Sequence, residues 1–236
     1  YRTGLNKKLL TASVRMVLQL LFVGYYLQYL FEYDNPWINA AWIFVMVAVA
    51  DFATIDRSDL KRKWSVILPI FGATFFGIII IDLFFLEVVI QLPKLLAAQY
   101  TIPITGMVLG NCLRSNVIGI NAFYYSLNEH QERYQFYLSC GATRSEAVHS
   151  FFSDALQKSA NPTLASMATI GLVSLPGMMT GQILSGSSPL IAIKYQIMIM
   201  VAIFSGTILS VYLGILFTNK FVFKDTDMLD ETILNN

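Results

Sequence analysis

Six runs of about 20 apolar residues dominate the chain and limit what it can fold into. A helix of roughly 20 apolar residues is needed to cross a hydrocarbon core about 30 Å thick. Lipid offers no hydrogen-bond partner to an open strand, so each run is predicted to be a helix. The runs are residues 9–31, 37–55, 64–86, 102–125, 163–184 and 191–218. We therefore predict an all-α, polytopic helical bundle with six transmembrane helices, which forms a single transmembrane domain over residues 1–236.

The charge content agrees with a chain that is surrounded by lipid. Of its 236 residues, 13% are charged and 56% are hydrophobic, whereas about a quarter of the residues of a typical soluble domain are charged. The net charge of +1 gives no indication of a nucleic-acid partner. Cys112 and Cys140 have no metal-binding spacing, so both are predicted to be free thiols.

Basic residues in the short loops predict the orientation. The loop at residues 56–63 is the most basic, so it is expected in the cytoplasm together with the C-terminal tail. The linkers at residues 32–36, 87–99 and 185–189 then lie outside, with Lys94 as their only basic residue. Because the chain starts at a tyrosine, we expect a segment before it.

The polar stretch at residues 126–162 is predicted to be a cytoplasmic helix–turn–helix. Gly141 suits a helix end, and Thr143 with Glu146 forms the pattern of a capping box that starts the next helix. An apolar stripe follows at helical spacing, formed by Ala147, Val148, Phe151, Phe152, Ala155 and Leu156. The spacing alone leaves open whether this segment caps the bundle or docks a partner.

Motifs of the common enzyme classes are missing from the sequence. There is no GxxxxGK[ST] phosphate loop, no HExxH and no GxSxG. His130 and His149 are far apart and do not predict a metal site. The chain is thus predicted not to be an enzyme, and any ATP that it uses must bind to another subunit.

Two membrane segments share a pattern of proline, Gly-Met-x-x-Gly and a side-chain amide. It occurs at residues 103–111 and again at residues 176–182. Paired glycines allow helices to approach closely, and proline frees a carbonyl that only protein or water can satisfy. The predicted packing and hinge residues are Gly106, Gly110, Pro176, Gly177 and Gly181, and the amides are Asn111 and Gln182.

The methionines of these segments allow two interpretations. Met107, Met178 and Met179 either fill irregular gaps in the core or form a thioether-lined path. Thioethers favour soft ions such as Cu(I), whereas iron prefers oxygen and nitrogen. Methionines alone would therefore make a poor iron site.

Charges inside the runs are informative because each costs about 2.5–3.5 kcal/mol at a helix centre. Asp82 and Arg114 either pair as a structural bridge or take part in transport, and Glu87 lies at the outer mouth. Arg15 and Asp51 are predicted to snorkel. The predicted substrate path consists of Asp82, Glu87, Met107, Asn111, Arg114, Met178, Met179 and Gln182. Its candidate metal ligands are Asp82, Glu87, Met178 and Met179.

Three sequence blocks resemble a known family. Gly106-Met107-x-x-Gly110-Asn111, Leu138-Ser139-x-Gly141-Ala142-Thr143, and the block from Gly171 to Met198 are similar to FetB-type permeases. These are membrane subunits of iron-exporting ABC transporters and are related to plant aluminium-tolerance permeases. The resemblance extends from about residue 9 to the last membrane helix.

The resemblance implies a permease homodimer in the bacterial inner membrane, joined to two copies of a separate ABC ATPase. ATP and magnesium would bind to that ATPase, and no cofactor would bind to this chain. The cytoplasmic turn would be the coupling element, formed by Leu138, Ser139, Gly141, Ala142, Thr143, Glu146, Phe151 and Phe152. Relatives carry a glutamate where Phe136 stands, a small or apolar residue where Arg114 stands, and one more N-terminal helix.

Iron export is the leading functional hypothesis, with two alternatives. One keeps the ABC architecture but moves a nucleotide sugar such as UDP-glucose, or another organic anion, which Arg114 favours. The other is a stand-alone channel or secondary transporter. Asp82 and Glu87 favour a cation.

Overall fold

The described chain forms eight α-helices in the computed structural model, which covers residues 5–58, 60–91, 96–223 and 227–233. They are α1 (Leu5–Tyr33), α2 (Pro36–Arg57), α3 (Trp64–Leu83), α4 (Ala98–Glu129), α5 (Gln131–Ser139), α6 (Arg144–Thr169), α7 (Gly177–Leu184) and α8 (Pro189–Val222). A π-helical segment, Phe84–Val89, extends α3. The predicted all-α class is confirmed.

Four of these helices are long and apolar enough to cross a membrane. They are α1, α2, α3 with its π-helical extension, and α8. Helix α4 has 32 residues, but Asn111, Arg114 and Asn116 make its centre polar. The chain is a multi-pass membrane protein. The length and apolarity of the described helices support four spans and do not reproduce the predicted six.

The predicted fifth span, residues 163–184, is not one helix. Helix α6 begins at Arg144 and ends at Thr169, and α7 begins only at Gly177. Gly171 between them has φ +84°, a conformation that glycine adopts readily. Pro176 precedes α7 with extended backbone, and proline disfavours helix in the residue before it. The sequence 171–176 therefore breaks the helix instead of bending it.

Segments that were predicted to share the cytoplasmic side meet at one end of the bundle, here called the base. The backbone N–H of Lys61 donates to the carbonyl of Ile233 over 2.7 Å, and the Tyr134 hydroxyl donates to the carbonyl of Asp227 over 2.7 Å. At the other end the Asn39 amide donates to the carbonyl of Leu96 over 2.8 Å. Lys94 lies outside the described residues.

Two apolar clusters form the core. The base cluster joins α4, α6 and α8 around Phe123, Tyr124 and Phe151. The central cluster joins α2, α3, α4 and α8 around residues such as Val47 and Val108. Helix α1 packs mainly through its last turns, where Tyr26 contacts Trp42 with ring centroids 4.2 Å apart. The most apolar window of α1 has no buried residues within the chain, so lipid or another subunit must cover it.

Two glycines outside the paired-glycine pattern make the tightest contacts of any described glycine. A Cβ atom on Gly119 would lie 2.5 Å from a methyl carbon of Val211, and one on Gly206 would lie 2.7 Å from a methyl carbon of Val108. By contrast, a Cβ on Gly110, Gly177 or Gly181 would meet nothing within 4 Å, and one on Gly106 would meet only the end of Met46. Within the described chain the predicted close packing is therefore not seen at Gly110, Gly177 and Gly181, whereas a Cβ on Gly106 would lie 3.2 Å from Met46 Cε on α2.

Candidate functional site

A buried polar network joins four helices at the centre of the bundle. The Thr74 hydroxyl on α3 donates to Asp51 Oδ1 on α2 over 2.8 Å. The Asn116 amide on α4 donates to Thr74 Oγ1 over 3.3 Å and to Ser210 Oγ on α8 over 2.9 Å. Thr74 is thus both donor and acceptor, and it connects the carboxyl group of Asp51 to the rest of the network.

Two oxygens of this network have no hydrogen-bond partner in the described structure. They are Asp51 Oδ2 and Asn116 Oδ1, and both are buried. Asp82 is similar, because its Oδ2 accepts from the Thr105 hydroxyl whereas its Oδ1 has no partner among the described residues. Unpartnered acceptors are expensive to bury, so these sites are suited to a proton or water.

The structure corrects two expectations about charged residues. Asp51 does not snorkel, since its side chain is buried and bonded to Thr74. Asp82 and Arg114 form no ion pair in the described chain, because Asp82 points to Thr105 whereas Arg114 lies on another face of α4 and is exposed. Arg15 is exposed on α1, as snorkelling requires.

A cavity of about 200 Å³ lies beside the break between α6 and α7. Arg114 lines it, together with Pro176 at the start of α7 and Gln196 on α8. The other lining residues are Asn111, Ser115, Pro162, Thr163, Ser166, Ile170, Met200 and Ile203. None of these lining residues is acidic, so the cavity carries a positive charge.

The remaining residues of the predicted path lie in different settings. Met107 and Met178 pack against the central cluster, which agrees with a packing role, and Met179 is half-buried. Asn111 donates to the carbonyl of Met107 over 2.8 Å. Glu87 is exposed in the π-helical segment, and Gln182 has a buried carbonyl oxygen without a partner in the part of the chain described.

The two acidic residues among the predicted metal ligands lie in different settings in the described structure. Among the residues described, no three His, Cys, Asp or Glu side chains come together. Asp82 is buried between α3 and α4, whereas Glu87 is exposed.

The turn between α5 and α6 has the predicted local structure. Gly141 has φ +89° and ends α5. Thr143 caps α6, with its hydroxyl and its backbone N–H both donating to Glu146 Oε2, over 2.7 and 2.8 Å. The hydroxyl bond and then the backbone bond lower the pKa of Glu146. Ser139, Gly141, Thr143 and Glu146 are exposed, Ala142 is half-buried, and Leu138 packs on the base cluster.

The apolar stripe of α6 faces the bundle. Ala147, Phe151 and Ala155 are buried, and Phe152 packs against the same base cluster. The side chain of Phe151 is therefore inaccessible to a separate subunit. It stabilises the turn by packing in the base cluster. The exposed aromatic surface next to the turn comes instead from Phe136 and Tyr137, which are 64% and 38% exposed.

The network and the cavity depend on residues that the motif analysis did not place. Three of these residues stand alone between apolar neighbours, namely Thr74, Ser210 and Gln196. No polar stretch of the sequence therefore marks their positions. A polar residue inside a membrane helix is itself the signal that could have found them, because burying it without a hydrogen-bond partner is costly. Asn116 is recognisable as a polar residue within α4, but its partners follow only from the packing of α4 against α3 and α8.

Comparison with known proteins gives a family and several relatives. The model of the Uncharacterised protein family (UPF0014) matches residues 1–223. The chain is 34% identical over 201 residues to "UPF0014 membrane protein YjkA" of Bacillus subtilis, covering 85% of this chain and 78% of that protein. It is 31% identical over 234 residues to "Probable iron export permease protein FetB" of Escherichia coli, covering 99% and 88%.

Plant proteins are similar as well. "Protein ALUMINUM SENSITIVE 3" of Arabidopsis thaliana is 33% identical over 200 residues, which cover 84% of this chain and 70% of that protein. No solved structure matches the chain. The matches to family and relatives cover most of the chain at 30% identity or more, so this multi-pass membrane protein belongs to the UPF0014 family.

Proposed function

We propose that the chain is the membrane subunit of an ATP-driven exporter that moves iron out of the cytoplasm. The observation that carries this proposal is the similarity to the Escherichia coli protein named as an iron export permease, which covers 99% of this chain. Two copies of the chain would lie in the bacterial inner membrane. Two copies of a separate ABC ATPase would bind ATP and magnesium, and the chain itself would catalyse no reaction.

The turn between α5 and α6 is the proposed docking element for the ATPase. It is rigid for a loop, because Gly141 ends one helix and the capping box starts the next within a few residues. Its underside is fixed to the base cluster through Leu138 and Phe151. Movement at the turn would therefore be passed to α4 and α8, which the same cluster joins.

The broken helix supports a transporter more than a simple channel. Discontinuous membrane helices with their ends beside a central site are a recurrent feature of transporters. Here α6 ends and α7 begins beside the cavity that contains Arg114. Elsewhere in the bundle, Asp51 and Asp82 each have a carboxyl oxygen without a partner among the described residues, and these oxygens would offer a cation transient contacts.

Co-isolation with the cognate ATPase tests the architecture. We expect the two proteins to form a stable complex, and Phe136→Asp at the exposed edge of the turn to weaken it about tenfold or more. Gln157→Asp, on the exposed face of α6, is the control. Isolation of an active transporter without any ATPase would support a channel or secondary transporter.

Iron accumulation in cells tests the cargo. In cells that lack their own exporter, the chain and its ATPase should lower cell-associated iron after iron loading. The chain expressed without the ATPase is the matched control and should have no effect. Unchanged iron with a properly assembled complex would contradict iron export while leaving the ABC architecture intact.

A further inference from the structure

We propose that the cavity beside the α6–α7 break binds a small oxyanion, such as phosphate or a short carboxylate, through Arg114. This site goes beyond the proposed export of iron. It does not depend on whether iron is the cargo.

Arg114 is the first reason. Its guanidinium makes no hydrogen bond and no ion pair with any residue that the structure describes, although it lies at the middle of α4. An arginine among apolar surroundings is costly unless another group neutralises it or bonds to it. No lining residue is acidic, so none of them neutralises the charge of Arg114.

The other polar groups of the cavity are the second reason. Gln196 is 8% exposed, and its amide makes no hydrogen bond with the described residues. An amide carries both an NH₂ donor and a carbonyl acceptor, so Gln196 can bond to an oxyanion in either protonation state. The Thr163 hydroxyl is another donor without a partner in the described structure, and it lines the same cavity. Arginine with neutral donors is a common set of ligands for phosphate and carboxylate.

The α7 helix adds a favourable field. Pro176 immediately precedes α7 and lines the cavity, so the first turn of α7 lies beside it. The first N–H groups of a helix have no intrahelical acceptor, and the helix dipole favours an anion there. This contribution supports the site that Arg114 and Gln196 define and would not make a site alone.

The size of the cavity limits the ligand. Its volume of about 200 Å³ is below the roughly 300–1,000 Å³ of pockets for drug-sized ligands. Phosphate, sulfate or a short di- or tricarboxylate suits this space better than a nucleotide sugar does. The phosphate could equally belong to a lipid headgroup, since the same donors recognise both.

Binding to the full-length protein in nanodiscs tests the proposal. In discs of neutral phosphatidylcholine, inorganic phosphate, sulfate and citrate are titrated separately against a chloride control, and thermal stabilisation is recorded. A parallel set contains phosphatidylglycerol without added oxyanion. We expect saturable stabilisation in one of these arms, and the arm identifies the source of the anion.

Variants assign the binding to the cavity. Arg114→Ala should weaken the apparent affinity about tenfold or more, since hydrogen bonds from a charged donor are lost. Gln196→Leu, which removes only a neutral partner, should weaken it less. Arg15→Ala removes an exposed charge elsewhere in the membrane segments and should leave binding unchanged. The melting temperature without ligand shows whether each variant is folded.

Two results would overturn the proposal. One is the absence of saturable stabilisation by every oxyanion and by the anionic lipid. The other is equal binding by the folded Arg114→Ala variant and the unaltered chain. Loss of a homodimer in Arg114→Ala without any effect on anion binding would show instead that the arginine pairs with an acid of a second copy.

Discussion

Thr74 is the residue on which the central polar network depends. Its hydroxyl donates to Asp51 and accepts from Asn116, so it joins α2, α3 and α4. Removing it would leave another buried oxygen of Asp51 and one donor of Asn116 unsatisfied. In a bundle where lipid replaces water, such groups find no substitute partner.

Replacing Thr74 by valine should lower the free energy of unfolding by about 1–3 kcal/mol, the penalty of unsatisfied buried groups. Thr207→Val is the matched control, because Thr207 is also buried but bonds only to the carbonyl of Phe204 in its own helix. Unfolding of the purified protein in mixed detergent measures both. Equal losses in the two variants would contradict the bridging role of Thr74.

Gly119 provides a second test at the scale of one residue. Alanine there would force a methyl group against Val211 on α8, so Gly119→Ala should destabilise the protein by about 1–3 kcal/mol through overpacking. Gly110→Ala has open space around it and should be neutral or stabilising, by up to about 1 kcal/mol of helix propensity. Thermal unfolding in detergent measures both, and a destabilised Gly110→Ala would contradict the packing described.

At the scale of single elements, the capping box gives α6 a defined start that depends on pH. Thr143 stabilises the ionised form of Glu146 and lowers its pKa. A lowered pKa means that the stabilisation is present above the ordinary pKa of glutamate and is lost as the pH falls through the lowered value. The first turn of α6 should therefore fray only under acidic conditions.

Hydrogen exchange of the first amides of α6, corrected for the intrinsic effect of pH, measures this fraying. The unaltered chain should be protected at neutral pH and lose protection as the pH falls below the ordinary range of glutamate. Glu146→Gln should show weaker protection that no longer changes across this range. Protection in the unaltered chain that is independent of pH would contradict the role of the carboxylate.

The break between α6 and α7 can also be tested. Gly171→Ala places a side chain at φ +84°, which costs roughly 1–2 kcal/mol for a residue other than glycine. Gly181→Ala lies in α7 with open space and serves as the control. Thermal unfolding should separate the two variants by about that amount. Equal stability would mean that Gly171 does not need the left-handed conformation.

Element boundaries were predictable where local chemistry determines them. Gly141 and the Thr143–Glu146 pair predicted the end of α5 and the start of α6. The prediction of one helix over residues 163–184 was wrong. Apolarity reflects how favourably a segment transfers to lipid, and it does not reveal a break in the backbone at Gly171 and Pro176. The contacts of Asp51 were also unpredictable, since its partner Thr74 lies on another helix. The tightest contacts of the described glycines lie at Gly119 and Gly206, where α4 packs against α8, and neither residue belongs to the paired-glycine pattern.

At the scale of the whole molecule, much of the apolar surface remains uncovered within one chain. Leu172, Val173 and Leu184 are 88%, 82% and 83% exposed around the α6–α7 break, and most of α1 is exposed as well. Lipid can cover these residues, and the proposed homodimer would cover part of them. The polar groups, by contrast, lie in the central network, in the cavity of Arg114 and at the base.

ATP-driven iron flux in proteoliposomes that contain this chain and its cognate ATPase tests the central claim most directly. Iron is supplied on the side of the ATPase, with a set lacking magnesium as the control for hydrolysis. The account predicts that iron moves away from the ATPase side only when ATP is hydrolysed. An assembled complex that hydrolyses ATP but moves no iron would contradict it.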